Sequence, residues 1–311
     1  MSLSAIDCVT RGVSNFRANW ELALVQFAQV MICSVLTLIG LVGLIVMLGA
    51  SFLFQIDNST DWLTALERLD DLAIAPGLLA IGLVGGFILT TIILLIYSWF
   101  QAGIFGVLDA GERQAPVTPG VDAQLFRTFR WHLFTGWASK GVWRFFGYLT
   151  WTTLVATVIA LVVVLALALG MVLIDSEGGP VLVVVGCLAV LPLILFFALL
   201  NLWIMLGMAL LSREEMTAMH ASAVALRIVR RRLPGLCLIG FLFFLVYFGV
   251  ALVFWPLTQG MVFALQDSAV AAVVVQLLLG AAQSLVGSLI MVSFFGALTA
   301  LARSELKSGN A

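Results

Sequence analysis

GGPVLVVVGCLAVLPLILFFALLNLWIMLGMALLS, residues 178–212, runs for 35 positions without an Asp, Glu, Lys, Arg or His. A helix needs about 20 apolar residues to cross the hydrocarbon core of a bilayer, so this stretch crosses once with residues to spare. Its apolar residues are continuous and do not alternate over about ten residues, which separates it from a strand of a membrane barrel. Acids flank it on one side (Asp175 and Glu177) and Arg213 follows it on the other.

Five further stretches share the pattern: Leu22 to Ile56, Leu72 to Leu108, Phe145 to Ile174, Leu233 to Gln266 and Ser268 to Ala302. At about 1.5 Å per residue a 30-residue helix reaches roughly 45 Å, so each stretch crosses once, tilted or with its ends among the headgroups. The whole composition agrees, with 63% hydrophobic residues, 10% charged residues and a mean hydropathy of +1.17. Water cannot be the solvent for most of such a surface. The predicted fold class is therefore all-α: a polytopic integral membrane protein of six transmembrane helices, forming a single membrane domain over residues 1–311.

Charge orients it. Fourteen of the 15 basic residues lie before span one, between spans two and three, between four and five, or after span six; Arg68 alone lies on the other side, among acids. Basic residues concentrate on the cytoplasmic side, which predicts a bacterial cytoplasmic (inner) membrane protein with both termini in the cytoplasm. The N-terminal residues 1–20 lack a short apolar core before a small-residue cleavage site, so no cleaved signal peptide is expected. With 15 basic and 16 acidic residues, there is no basic field for nucleic acid.

The segment before each pair of spans has amphipathic helical spacing, which predicts three units of one amphipathic helix and two spans, over residues 2–108, 119–211 and 212–302. In the first, Val9, Val13, Phe16 and Trp20 share a face and Arg11 and Arg17 lie off it. In the second, Phe126, Phe129, Leu133 and Trp137 recur at helical spacing, predicting a helix flat in the interface. In the third, Ser212 and Glu215 fit a capping box, Met216, Met219, Ala223 and Leu226 form a stripe, and Arg230, Arg231 and Arg232 end the helix before Pro234. On the opposite side, Thr60 is expected to cap a short helix through Leu69, and the other two turns are short.

The interfacial segments Leu125 to Phe146 and Met216 to Phe241, each a basic amphipathic helix running into a span, resemble bacterial six-span membrane families. These include the membrane domain found beside glycerophosphodiester phosphodiesterases and the YciC-like proteins. The resemblance covers nearly the whole chain in layout and implies a membrane module. None of the phosphodiesterase catalytic domain is present in these residues, so no catalytic residue carries over.

Intramembrane ionisable residues mark proton and ion pathways, and the six uncharged stretches hold none. His132 and His220 have only Glu214 and Glu215 near metal-ligand spacing. The four cysteines, Cys8, Cys33, Cys187 and Cys237, form no C-x-x-C pair and read as small apolar residues. Neither a Gly-x-Ser-x-Gly nor a His-Glu-x-x-His occurs. No cofactor or metal and no enzymatic activity are expected.

Small residues let helices approach closely, and Gly82 with Gly86, and Gly280, Ser284 and Ser288, read as packing positions within the chain or between copies. Gln26, Gln29, Asn201, Gln259, Gln276 and Gln283 either hydrogen-bond between helices or line a polar path. Pro192 and Pro256 can kink their helices. Trp20, Trp99, Trp143, Trp203 and Trp255 fit interfacial anchors. Arg127, Arg130 and Arg144, with Arg230, Arg231 and Arg232, either set topology or hold anionic lipid headgroups. The leading expectation is a non-enzymatic subunit or scaffold associating with lipid and with another membrane protein or itself; the alternative is a translocator of lipid or another hydrophobic small molecule.

Overall fold

The structure, a computed structural model, describes residues 3–55, 76–116, 122–173, 179–213, 216–264 and 268–307. The expected helix from Thr60 to Leu69, Arg68, Glu214 and Glu215, and the acids at 175, 177 and 267 lie outside the described residues. Seven α-helices are described: α1 (Ala5–Ala18), α2 (Glu21–Gln55), α3 (Pro76–Gln114), α4 (Trp131–Leu173), α5 (Gly179–Leu211), α6 (Ala218–Ala264) and α7 (Ala269–Lys307), with a 3-10 turn at Ala123–Phe126. Among the described residues, α2 to α7 are six helices long and apolar enough to cross a membrane. The protein is an all-α, multi-pass membrane protein.

The chain divides into two compact units, one of residues 28–97 and the other of residues 1–27 with 98–311. In the smaller unit Gly40 of α2 packs on the Leu89 side chain of α3. Its outer surface is apolar, with Leu38, Ile39, Leu83 and Phe87 all exposed. Exposed apolar area on this scale marks an interaction surface, and for membrane helices that surface is hydrocarbon.

In the larger unit the core sits where three helices finish. Every residue is buried from Gln101 to Asp109 in α3, from Met205 to Ser212 at the end of α5, and from Val292 to Glu305 in α7. A helix end surrounded on all sides has no lipid-facing stripe. Phe105 of α3 joins Phe295 of α7 at 4.8 Å and Phe145 of α4 at 6.2 Å between ring centroids. Tyr148 of α4 lies over Gly207 of α5 and donates from its hydroxyl to the Ile204 carbonyl at 3.1 Å.

Around these ends lie the three amphipathic segments. Ser4 and Asp7 form a reciprocal capping box at the start of α1, with Ser4 Oγ accepting from Asp7 N at 3.2 Å and Asp7 Oδ2 from Ser4 N at 3.2 Å. The buried face of α1 is its small and polar one, Cys8, Arg11, Gly12, Asn15 and Ala18, while Ile6, Val13 and Trp20 are exposed. Val9 and Phe16 of the apolar stripe are half-buried. In the third segment Met219, Ala223 and Leu226 are likewise exposed and Ala221, Val224, Ala225 and Ile228 are buried.

The second segment is not one helix. Residues 127–130 are non-helical between the 3-10 turn and α4, which begins only at Trp131. The cause is Asn19, whose Oδ1 accepts from the backbone of Thr128 at 2.9 Å and Phe129 at 2.7 Å while its Nδ2 donates to the Phe126 carbonyl at 2.8 Å. Backbone groups satisfied in this way need no helix. The third helix also begins differently: Ser212 Oγ donates back to the Ala209 carbonyl at 2.8 Å, and Thr217 directly precedes α6 with its Oγ1 accepting from His220 N at 3.4 Å. The expected end at the arginine triplet is present as a non-helical Arg232 (φ −113°, ψ 24°) inside α6.

Candidate functional site

Charged side chains from five parts of the larger unit converge beside the buried helix ends. Glu112, near the end of α3, is 1% exposed and accepts from Arg11 of α1 through Nη2 at 2.8 Å and Nε at 3.3 Å. Arg303 of α7 brings Nη1 to 3.9 Å from the same carboxylate oxygen and donates from Nη2 to the Arg113 carbonyl at 3.2 Å. Arg11 also donates from Nη1 to the Pro116 carbonyl at 2.8 Å and sits over the Phe126 ring at 5.2 Å.

Two further pairs flank this knot. Asp109 holds Arg113, one turn along α3, at 2.6 Å and lies 4.0 Å from Arg213 beyond α5. Glu305 of α7, fully buried, accepts from Arg232 at the break in α6, with 2.9 Å to both Nε and Nη2. Glu112 and Glu305 lie in the last turns of α3 and α7, where a carboxylate faces the negative end of the helix dipole and a cation offsets it, and Asp109 lies about one turn earlier in α3. Arginine supplies it in every case, with planar forks suited to carboxylates.

Asparagines continue the network. Asn15 Nδ2 donates to the Leu108 carbonyl at 3.0 Å and Asn15 Oδ1 accepts from Asn19 Nδ2 at 3.0 Å. Both are fully buried. Gly12 makes the approach of α1 to α7 possible: a Cβ there would lie 2.6 Å from the Ser293 carbonyl oxygen, and one at Gly296 would lie 2.9 Å from the Gly12 oxygen. Burial, then the negative charges of Glu112 and Asp7, push the Cys8 thiol up to about 12, so it stays protonated at neutral pH and is a poor nucleophile.

The sequence-predicted positions distribute as follows. Arg127 pairs with Glu21 at 2.8 Å through Nη1 and bonds the Ala18 carbonyl. Arg144 donates to the Arg213 carbonyl at 3.1 Å, and Arg232 belongs to Glu305. Arg130, Arg230 and Arg231 are exposed. Gln26 and Gln101 join α2 to α3 at 3.1 Å, an interhelical bond of the expected kind. Trp203 Nε1 donates to the Ser222 carbonyl at 3.0 Å. Ser288 is buried and donates to the Ser284 carbonyl at 2.8 Å.

The glycines expected to pack do less. A Cβ at Gly86 or Gly280 would meet no atom of the described residues within 4 Å. Gly12, Gly296, Gly103 under Phe134 and Gly106 under Trp137 are among the tight contacts instead. No two of them stand four residues apart as in Gly-x-x-x-Gly; Gly12 and Gly296 face each other, and Gly103 and Gly106 both face α4. Among the described residues no group of three His, Cys, Asp or Glu side chains is placed to hold a metal.

Fold and surface define the class, a multi-pass α-helical membrane protein whose charged end is fastened by buried arginine–carboxylate pairs. No family model matches the chain, nor does any curated protein or solved structure.

Proposed function

We propose that the chain is a non-enzymatic subunit or scaffold of the bacterial cytoplasmic membrane. Both termini lie in the cytoplasm, and the protein packs against another membrane protein or a second copy of itself and binds anionic lipid at its basic end. The observation that carries this is the division of its arginines. Arg11, Arg127, Arg144, Arg232 and Arg303 are bound to groups of the protein, while Arg130 and Arg230 present their charge at the surface beside exposed Trp131 and Leu233. A surface of guanidinium next to apolar side chains suits the headgroup boundary of an anionic membrane, each such charge contributing about 1 kcal/mol.

The positive-inside distribution supports the orientation. A threefold repeat is part of the same reading, supported by the wrapped ends of α3, α5 and α7, each the second span of one unit. The carboxylates that could serve as acid or base are held by guanidiniums, which supports a structural role for them. Native mass spectrometry of protein extracted in a mild polymer tests the proposal: a stoichiometric protein partner or a dimer, with bound anionic lipid, is expected. A monomer carrying lipid alone would overturn the subunit reading and favour a translocator, which lipid transfer in liposomes would report.

A further inference from the structure

Where α3, α5 and α7 end, positive charge outnumbers its partners. Asp109 holds Arg113 at 2.6 Å on one oxygen and has Arg213 4.0 Å from the other, and Glu112 serves both Arg11 and Arg303. Two more cations reach the same place. Arg144 donates to the Arg213 carbonyl at 3.1 Å. Lys307 follows Arg303 by one turn of α7, on the same side of the helix, and lies within electrostatic reach of Arg303, Arg11 and Arg213. Among the described residues, these cations therefore exceed the two carboxylates by four. The three helix ends carry about half a negative charge each, which leaves an excess of about two and a half.

A donor is left over as well. Arg303 is 7% exposed, yet its Nη1 has no hydrogen-bond partner among the described residues and stands 3.9 Å from the Glu112 oxygen that Arg11 already holds. Arg213, partly exposed, comes no nearer to a described carboxylate than 4.0 Å. Arg113 and Lys307 are exposed, so the place is open to water or to headgroups. Guanidinium forks match the oxygens of phosphate, and a buried donor left unmade is costly. We propose that Arg213, Arg303 and Lys307 form a site for a phosphate group, carried by a phospholipid or by a soluble phosphate. As a lipid site it rests on the lipid-binding part of the function proposed above.

The test takes the full chain, stripped of lipid in a non-ionic detergent. Native mass spectrometry follows added phosphatidylglycerol or diacylglycerol, and titration calorimetry follows inorganic phosphate. One phosphatidylglycerol should be held in preference to diacylglycerol, which lacks the phosphate, if the source is lipid; inorganic phosphate should bind if the source is soluble. Lys307→Gln, a change at an exposed position, should weaken the binding about fivefold, and Arg213→Gln with Lys307→Gln about thirtyfold. Arg17→Gln with Arg227→Gln removes the same charge from exposed positions elsewhere and should leave it unchanged.

The site is overturned if the wild type binds neither phosphatidylglycerol nor phosphate, the gap at Arg303 Nη1 then holding water alone. Binding that survives the double variant, with circular dichroism intact, has the same meaning. So does binding that arises only after Glu214→Gln with Glu215→Gln, since the chain's own acids then hold these cations. Phosphatidylglycerol lost with Arg130→Gln and Arg230→Gln, and kept without Arg213 and Lys307, would sink the site and preserve the lipid reading. Inorganic phosphate bound through Arg213 and Lys307, with no lipid retained, would preserve the site and sink the lipid reading.

Discussion

The two ends of α7 are built from similar residues and live in different surroundings. From Val270 to Gly280 the helix shows Val270, Leu277 and Leu278 to the outside, and a side chain at Gly280 would touch nothing described. From Val292 to Glu305 every residue is buried, and this end carries Arg303 and Glu305 in ion pairs with other elements. Apolarity alone does not tell the two apart, because hydrocarbon accepts an apolar face as readily as protein does. Polar and small residues separate them. A buried guanidinium or a Gly–Gly approach is specific to a partner, and so the firm packing of this protein gathers at its charged end.

Removing the hub carboxylate should break that contrast most strongly. Glu112→Gln leaves Arg11 and Arg303 buried without their counter-charge, and the expected loss is about 3–5 kcal/mol, read as a lowered thermal midpoint in one detergent. Asn19→Ala comes next. It strips partners from the Thr128 and Phe129 amides and the Phe126 carbonyl, at about 1–3 kcal/mol for each buried group left unsatisfied, and hydrogen exchange at residues 126–129 should rise. Gly12→Leu should cost about 1–3 kcal/mol by forcing α1 off α7, whereas Gly280→Ala should stabilise by about 0.5–1 kcal/mol because its surroundings are open and glycine weakens a helix interior. Equal effects at the two glycines would abolish the distinction drawn here. Smallest is Arg127→Gln: its pair with Glu21 is half exposed at the arginine, and the expected change is under about 1 kcal/mol.

Uninterrupted apolar runs made the six spans readable, since no other structure accommodates more than 30 such residues in a row. The break at Arg230 to Arg232 was readable too, from charge followed by Pro234. The faces of the amphipathic helices were not. Spacing finds the stripe of Val9, Val13 and Phe16 without saying whether lipid or protein meets it, and in α1 protein takes the opposite, polar face.

The candidate site was hidden for a related reason. The positive-inside rule accounts for Arg11 and Arg303 equally well as surface residues, so nothing local marks them as buried. Their partners are distant in sequence: Arg11 meets Glu112 across 101 positions, and Asn19 meets Phe129 across 110. The signal within reach was the placing of Asp109 and Glu112 in the last turns of a helix, where an acid requires a nearby cation.

A double-mutant cycle on Arg11 and Glu112 tests the fastening of α1 most directly, with Arg11→Met, Glu112→Leu and the combined variant unfolded under identical conditions. The buried pair predicts that each single change costs about 3–5 kcal/mol and that the double costs well below their sum, since Arg303 alone is then left without its counter-charge. Single costs under about 0.5 kcal/mol that simply add would contradict a buried pair and return Arg11 to the surface.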